Sequence, residues 1–452
     1  MTRGKTGLSR RQFVGTLGAG AAVFTIVPRH VLGGPDETAA NDKISIAGIG
    51  IGGRGGGDVR SCSGENIVAL CDVDDAKAAG MYKRFPDAKK YVDYRKMLDE
   101  MDKGIDAIVC GTPDHTHAVI CMDAMRRKKH VYCEKPLTHS VHEARVLRKA
   151  AIENKIITQV GNQGHSSSSI RTCCEWIWDG ALGNVTEVHA ACNAFKNVYC
   201  QINKLPELKV EHKVPDTLNW DLWLGPALDR PYSPLYVPWN WRGWTAFGTG
   251  AIGDWICHVV DPAFWALNLG LPKTVQAEVE GYDPKAHFEC YPPSAKVTYE
   301  FAANDKRGPI KLVWYDGNAT IPKPPQLEDD RNPPGTGAVI IGDKGALMHG
   351  SHGGGGVRLI PEKAMQEYEA PEPTIERVPG HHQDWINAMR EGREAGSNFE
   401  YGGALTEIGL LGMIAIRMAG TKLEYDAEKA RFTNSDEANA FINPAYRQGW
   451  SL

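Results

Sequence analysis

The chain has 452 residues, of which 42% are hydrophobic and 23% are charged, a composition typical of globular proteins and too apolar for a disordered one. Its 51 Lys and Arg residues against 55 Asp and Glu residues give a net charge of −4, so no overall positive field exists to hold nucleic acid or an anionic membrane. We therefore expect a small-molecule partner and no nucleic acid. The eleven cysteines have no CxxC or zinc-finger spacing, which favours buried free thiols and no metal site.

Residues 1–40 have the composition of a targeting segment rather than of a folded domain. Basic residues, among them Arg10 and Arg11, precede an uncharged stretch from Val14 to Val27 that is too short to span a bilayer as a helix. The run from Ser9 to Val14 resembles a twin-arginine export signal. This predicts recognition by the twin-arginine export machinery, a periplasmic location and no permanent membrane span; a basic disordered tail is the alternative.

Between residues 41 and 160, short apolar runs alternate with helical stretches, which is the pattern of βαβ units. The pattern predicts an α/β domain with a doubly wound parallel sheet. Predicted strands cover residues 43–49, 67–71, 105–110, 130–133 and 156–160, and predicted helices cover residues 74–84, 94–100, 117–126 and 140–154.

The first predicted strand leads into a glycine-rich turn with the spacing G-x-G-x-x-G at Gly48, Gly50 and Gly53. Such a turn lets the backbone approach a pyrophosphate closely and directs helix N–H groups at its charge. Asp72 ends the second strand, where a carboxylate can accept hydrogen bonds from ribose hydroxyls and would repel a 2′-phosphate. We therefore expect NAD rather than NADP, although Arg54 in the turn could favour phosphate and Asp72 could instead cap a helix.

Two further segments follow strands of the predicted parallel sheet, at the edge where open α/β sheets bind ligands. For the first segment, a turn followed by a helix cap is the alternative interpretation. Its two histidines have no carboxylate cluster or thiolate beside them, so a metal site is not expected. The candidate cofactor-binding residues of the two segments are Thr112, Pro113, His115, His117, Glu134 and Lys135.

The chain changes character after residue 160, and residues 192–240 are irregular and rich in Pro and Trp. Six of the twelve tryptophans lie between positions 220 and 255; aromatic rings suit the C–H face of a sugar but are also common in cores and interfaces. Asp254 and His258 follow, four residues apart, on one face of a predicted helix. A carboxylate beside an imidazole makes a general base, whereas a capping Asp with a core His is the structural alternative.

The glycine turn, Glu134-Lys135-Pro136 and Asp254-x-x-x-His258, in this order, resemble the Gfo/Idh/MocA oxidoreductase family from Lys43 to the C-terminus. Segments at 218–227, 239–242 and 446–450 resemble an exported branch of that family. The resemblance implies an N-terminal Rossmann domain over 41–160 and a C-terminal α/β domain over 161–452. The second domain is expected to carry a large, open, mainly antiparallel sheet that often forms a homo-oligomer interface, and helices at 381–420 are expected to pack back towards the first domain.

The same resemblance implies the residues of the site. Lys135, Asp254 and His258 would form the catalytic set, and Lys135 would follow a turn whose Lys-Pro bond is often cis in relatives. The implied reaction is NAD-dependent oxidation of a secondary hydroxyl on a sugar, cyclitol or glycoside. His258 would take the hydroxyl proton with Asp254 supporting its imidazolium, and Lys135 would bind the developing alkoxide. The implied substrate-binding residues are Asn162, His165, Trp241 and Arg242.

Export adds a constraint, because free NAD is scarce outside the cytoplasm, and it predicts a tightly retained cofactor. Two alternatives to a sugar oxidoreductase stay open. One is a redox-neutral, NAD-dependent glycoside-cleaving enzyme that works by transient oxidation and elimination. The other is a non-catalytic sugar or nucleotide sensor, since a fold does not fix the chemistry.

Overall fold

Six parallel strands form the first sheet, in the order β3-β2-β1-β4-β5-β6. The computed structural model describes residues 42–452, so the expected leader at 1–40 lies outside the described residues. The strands are β1 Ser45–Ile49, β2 Asn66–Cys71, β3 Lys89–Tyr91, β4 Ala107–Cys110, β5 His130–Cys133 and β6 Thr158–Val160. The helices are α1 Arg54–Ser61, α2 Asp75–Arg84, α3 Tyr94–Glu100, α4 Asp114–Arg126 and α5 Val141–Asn154.

The predicted doubly wound sheet is confirmed, and its strand order reverses between β1 and β4, where such folds bind ligands. Sequence reasoning missed β3, because Lys89–Tyr91 is a three-residue edge strand without an apolar run. Helix α4 begins at Asp114 rather than at residue 117, because Pro113 occupies its N-cap with φ −65°. The turn after β4 is therefore shorter than predicted.

Nine strands form the second sheet, in the order β13-β12-β11-β7-β10-β9-β8-β14-β15. Only β7 and β10 pair in parallel there, so the sheet is mainly antiparallel, as expected. The strands are β7 Val185–Cys192, β8 Thr274–Glu280, β9 Ser294–Phe301, β10 Ile310–Gly317, β11 Thr336–Gly342, β12 Ala346–Gly350, β13 Arg358–Ile360, β14 Leu423–Asp426 and β15 Arg431–Phe432.

The helices of the second part are α6 Ser168–Trp178, α7 Lys196–Tyr199, α8 Trp220–Leu224, α9 Gly250–Val259, α10 Asp261–Ala266, α11 Glu362–Glu367, α12 His381–Glu391, α13 Phe399–Arg417 and α14 Asp436–Asn439. Among them, α6, α9, α10 and α13 share a buried core with one face of this sheet. On the opposite face, Ile321 and Leu327 from the connection between β10 and β11 share a buried cluster with Val313 and Val339. The chain thus covers part of that face itself.

Helix α12 packs against the parallel sheet. Its Trp385 is fully buried against Tyr132 of β5, with ring centroids 5.7 Å apart, and His382 Nε2 lies 3.0 Å from Asp58 Oδ1 of α1. Arg390 adds an ion pair to Glu65 at 2.6 Å. Helix α12, which lies late in the sequence, therefore completes the hydrophobic core of the first domain.

Helix α13 lies between the two sheets. Within the described part of the chain it is the one helix long and apolar enough to cross a membrane, and 83% of its apolar window is buried inside the protein. Arg145 of α5 donates to both oxygens of its fully buried Glu407, at 2.6 and 3.0 Å. Helix α13 is thus a core helix that ties the two sheets together.

Glycines let α13 approach its neighbours closely, which gives a test of this packing. A Cβ at Gly412 would lie 2.0 Å from Tyr299 Oη and 2.4 Å from Ile252 Cδ1. Because such overpacking costs about 1–3 kcal/mol, Gly412→Ala should lower the free energy of unfolding by that amount in urea titrations. The matched control is Gly80→Ala on exposed α2, where a Cβ meets nothing within 4 Å and the gain should be about 1 kcal/mol. Equal effects of the two substitutions would contradict the packing described.

Candidate active site

One cavity of about 940 Å³ lies between the carboxyl edge of the parallel sheet and the second domain. Most of the residues singled out from the sequence reach it, although they come from distant parts of the chain. Its lining includes Gly50, Gly53, Arg54, Asp72, Thr112, Pro113, Glu134, Lys135, Tyr199, Trp241, Arg242, Asp254, His258 and His352. A reaction site that uses groups from both domains requires such a shared cavity.

The glycine turn forms a close-packed cradle at one end of the cavity. Gly50 has φ +76°, and a Cβ there would lie 2.7 Å from the backbone nitrogen of Thr112. Gly48 does not line the cavity; its missing Cβ lets β1 pack against Val59 of α1. Gly53 precedes α1 and has open space around its Cα, so a phosphate group can approach the start of that helix.

Asp72 lies beside this turn with its carboxylate held by the backbone. Its Oδ2 accepts the Gly52 N–H at 2.8 Å, and its Oδ1 accepts the Asp74 N–H at 3.0 Å. Burial raises the pKa of Asp72, and these two backbone hydrogen bonds oppose that rise. Each oxygen keeps a further lone pair, so the carboxylate can accept ribose hydroxyls, and the cradle and the acid together fit NAD.

Arg54 is engaged by carboxylates and is not a free phosphate ligand. Its guanidinium lies 3.3 Å from both Glu134 and Asp58. Glu134 also accepts a hydrogen bond from Gln163 at 2.6 Å, and burial, followed by the charge of Asp58, raises the pKa of Glu134 to about 7. Arg54, the residue that could have favoured NADP, thus holds the Glu134 turn in place.

Lys135 follows β5, and the Lys135–Pro136 peptide is cis. The Lys135 ammonium donates to Asp254 Oδ1 at 2.6 Å and to the Asp254 backbone carbonyl at 3.2 Å. The same carboxylate accepts the hydroxyl of Tyr199 and lies 3.5 Å from Arg242 Nε. Burial would raise the pKa of Asp254, but Lys135 and Arg242 outweigh it and hold that pKa well below its usual range. Helix α9 therefore meets the parallel sheet through a buried ion pair.

The predicted pairing of Asp254 with His258 is wrong. Both side chains lie on α9, but the carboxylate is committed to Lys135 and Tyr199, and His258 Nδ1 is buried without a hydrogen-bond partner among residues 42–452. Burial, then the charge of Lys135 and its neighbour His352, holds the pKa of His258 well below its usual value. The imidazole that lines the cavity is therefore neutral near pH 7.

The expected substrate contacts at Asn162 and His165 are also wrong, because neither residue lines the cavity. Both bind the buried carboxylate of Asp261, Asn162 Nδ2 at 3.1 Å and His165 Nδ1 at 3.1 Å. The His165 ring stacks on Trp265 at 4.7 Å, and Ser397 donates to Asn162 at 2.6 Å. This network joins β6 to α10 and to the start of α13, so its function is structural. Of the expected substrate residues, Trp241 and Arg242 do reach the cavity.

The two histidines in the first turn of α4 lie behind the cavity rather than in it. His115 packs between Trp223 and Phe247, at 5.2 and 5.0 Å, and its Nε2 meets the Trp223 carbonyl at 3.1 Å. His117 lies between the carbonyls of Pro136 at 2.9 Å and Thr112 at 2.8 Å. Direct cofactor contact by His115 and His117 is therefore a wrong expectation. His117 braces the Thr112 and Pro136 turns, and His115 packs α4 against the second domain.

Among the cavity residues that sequence reasoning missed are Tyr199, His352 and Phe195. The His352 ring stacks on His258, with centroids 4.3 Å apart and planes 21° apart, and its backbone is left-handed at φ 56°. His352 directly precedes a run of four glycines, which is a sequence signal for an unusual backbone. Tyr199 lies in an irregular segment that offered no periodic signal.

The eleven cysteines all lie within the described residues, none of them is paired there, and ten are buried. Cys110, Cys121 and Cys133 converge in the core of the first domain with their sulfurs within 4.8 Å of one another. Two of these thiols end neighbouring strands and the third lies on α4, so no sequence spacing could have shown the cluster.

The fold and the site define a two-domain, dinucleotide-binding protein with an open cavity beside the cofactor cradle, lined by residues of both domains. The family model for the NAD-binding Rossmann fold of the Gfo/Idh/MocA oxidoreductases matches residues 43–162, and the model for their C-terminal α/β domain matches residues 177–452. The chain belongs to the Gfo/Idh/MocA oxidoreductase family. This confirms the resemblance and NAD as the cofactor of the first domain.

Several known proteins are similar to this chain at low identity. Levoglucosan dehydrogenase of Pseudarthrobacter phenanthrenivorans is 26% identical over 200 residues, 44% of this chain and 42% of that protein. Inositol 2-dehydrogenase of Salmonella typhimurium is 26% identical over 205 residues, 43% of this chain and 57% of that protein. An NAD-binding protein from Listeria innocua has a similar structure, with a TM-score of 0.58 at 15% identity, covering 84% of this chain and 97% of the other. The matched part thus spans about half the length of these curated relatives.

The cradle makes a direct prediction for cofactor binding. Gly50→Ala places a Cβ against the backbone of Thr112 in a left-handed turn, so we expect at least about a tenfold rise in the Kd for NAD by titration calorimetry. Gly57→Ala on α1 is the control, since its Cβ would come no closer than 3.7 Å to another group. NAD affinity that survives in Gly50→Ala as well as in Gly57→Ala would rule out this turn as the pyrophosphate site.

Proposed function

We propose that this protein is an NAD-dependent oxidoreductase acting on a secondary hydroxyl of a sugar, cyclitol or glycoside, with a tightly retained cofactor. One observation carries the proposal: the Lys135 ammonium of the first domain and the His258 imidazole of the second open into the same cavity as Gly50 and Asp72. The relatives named for levoglucosan and inositol act on polyhydroxylated rings, which supports a substrate of this class.

When bound, NAD supplies the acceptor for the hydride. Lys135 is held as an ammonium because Asp254 raises its pKa against the effect of burial. Two of its N–H bonds point to Asp254, which leaves a third for the substrate oxygen as that oxygen gains negative charge. We assign to Asp254 the task of fixing this ammonium rather than of assisting the histidine.

The neutral His258 is suited to take the hydroxyl proton. Its Nδ1 is buried, so the nitrogen that accepts the proton is Nε2, with the neutral tautomer carrying its hydrogen on Nδ1. Asp254 favours the resulting imidazolium only through its charge, because its oxygens are bound by Lys135 and Tyr199, and the proton has to move on. The exposed His352 ring stacks nearly face to face on His258 at 4.3 Å, so its ring nitrogens cannot take the proton directly. We assign to it the orientation of the imidazole, and the proton leaves through water in the cavity.

Lys135→Met and His258→Phe should each lower kcat/KM by about 10²-fold or more, because each removes a group that acts on the reacting hydroxyl. Bound nicotinamide nucleotide, quantified by mass spectrometry of purified protein, should stay near the parent level. Lys149→Met, a change at a lysine whose side chain is 74% exposed, is the control and should keep full turnover. Turnover unaffected by Lys135→Met would refute the proposal, and a parent protein that binds sugars without oxidising them would point to a sensor.

We also propose that the chain is exported by the twin-arginine pathway to the periplasm and works there as a homo-oligomer. The Arg10-Arg11 pair supports the route, and export after folding is compatible with eleven unpaired cysteines. Export of a folded, loaded protein would also carry NAD to a compartment where it is scarce.

The export proposal is tested by the double substitution Arg10→Lys and Arg11→Lys. Because the pathway reads the arginine pair itself, the variant should accumulate in the cytoplasm, as measured by immunoblots of cell fractions. Arg3→Lys is the control outside the pair and should reach the periplasm. Periplasmic protein in the double variant would refute the route.

A further inference from the structure

We infer that the substrate is a glycoside rather than a free sugar or cyclitol, and that its second ring lies on an aromatic platform made by Phe195 and Trp239 at the mouth of the cavity. The inference rests on the proposed function, because it places the reacting ring beside Lys135 and His258.

A continuous path of aromatic rings leads from the reaction site outwards. The Trp255 ring packs edge-on against His258, with centroids 5.5 Å apart. Phe195 lies 6.1 Å from Trp255, and Trp239 lies 5.9 Å from Phe195 at an interplanar angle of 70°. All four residues line the cavity. A ligand whose first ring meets His258 therefore has a row of rings along which the rest of it can extend.

The two outer rings of this path are far more exposed than the inner one. Trp255 is 9% exposed, whereas Phe195 is 53% exposed and Trp239 is 45% exposed. Two large apolar side chains left half open at the mouth of the cavity are not explained by packing within the described chain. Exposed apolar groups grouped at a cavity mark ligand contacts more often than single exposed residues do.

The backbone at Phe195 gives an independent indication. Phe195 has φ 52° and ψ 34°, a left-handed conformation that a bulky non-glycine residue rarely adopts. It immediately precedes α7, which ends at Tyr199, and the Tyr199 hydroxyl binds Asp254. Such unfavourable backbone persists mainly at ligand clamps and active sites, and here it fixes an exposed ring relative to the reacting groups.

Trp239 is fixed from the other side. The Arg242 guanidinium lies 4.0 Å from the Trp239 ring centroid and 4.1 Å from that of Trp241, and its Nε lies 3.5 Å from Asp254 Oδ2. Tyr199 on the Phe195 side and Arg242 on the Trp239 side therefore connect the platform to the Asp254 carboxylate, which holds Lys135. Its distance from the reaction site is set by the fold.

The chemistry of the platform suits a ring that carries no charge. The face of an aromatic ring is electron-rich and attracts the polarised C–H groups on the flat side of a pyranose, while the hydroxyls at the sugar edge stay in water. An aryl group attached to the sugar would stack on the same rings. A single free ring bound at His258 would leave the exposed parts of Phe195 and Trp239 open to water, whereas a glycoside would cover them.

The test uses the NAD-loaded full-length protein and a matched set of compounds: glucose, galactose, myo-inositol, methyl β-glucoside, cellobiose, lactose, phenyl β-glucoside and phenyl β-galactoside. Turnover is followed by absorbance of the reduced nicotinamide, and binding by calorimetry. At least one of the compounds with a second ring should exceed the corresponding single-ring compound about tenfold in kcat/KM or affinity. A comparison of cellobiose and lactose with the phenyl glycosides shows whether the second ring is a sugar or an aryl group.

Trp239→Ala and Phe195→Ala should each reduce this preference about tenfold. Trp178→Ala and Phe288→Ala are the matched controls, since these side chains are 52% and 54% exposed but lie outside the cavity lining, and both should keep the preference. Single-ring compounds that perform as well as the others, equal losses on all compounds, or no binding of any compound would each overturn the inference. Two-ring compounds that bind with the expected dependence on Trp239 and Phe195 but are not oxidised would overturn the proposed function and leave the platform standing.

Discussion

The buried contact between Lys135 and Asp254 is the interaction on which the site depends. It joins the turn after β5 to α9 and is the point where the two domains meet inside the cavity. An ammonium and a carboxylate withdrawn from water are tolerated only when each has further partners, and here Tyr199, Arg242 and the Asp254 carbonyl supply them. Any movement of one domain against the other would break this contact, so the contact also fixes the distance between cofactor cradle and imidazole.

Sequence reasoning succeeded where one local segment determines the structure. The glycine turn and Asp72 are defined by spacing within one βαβ unit, and all the predicted parallel strands are present. It failed where a polar group could bind any of several partners and only the folded chain decides which one it contacts. Helical spacing placed Asp254 and His258 on one face of α9, but only the fold brings in Lys135, whose charge attracts the carboxylate more strongly than a neutral imidazole can.

The same reason explains the errors at Asn162 and His165. Both follow β6 at the expected edge of the sheet, yet their polar atoms are taken by Asp261, a residue nearly a hundred positions away. A turn at a sheet edge can bind substrate or bind another element, and the sequence does not distinguish the two. His352 is the opposite case, since a residue without a family motif is placed directly on the His258 ring.

His117 lies between two carbonyl oxygens, and carbonyls only accept hydrogen bonds, so both ring nitrogens have to carry hydrogen. Burial opposes this charge, but Cys110, Asp114 and the two carbonyls outweigh burial and raise the pKa of His117. The His117 ring links the Thr112 turn, on the nucleotide side, to the Pro136 turn that carries Lys135. Because the pKa is raised, the charged ring persists to higher pH than a free imidazole would, and one of the two hydrogen bonds is lost as rising pH deprotonates the ring. Rising pH would then weaken the connection between the turn that holds the nucleotide and the turn that positions the Lys135 ammonium.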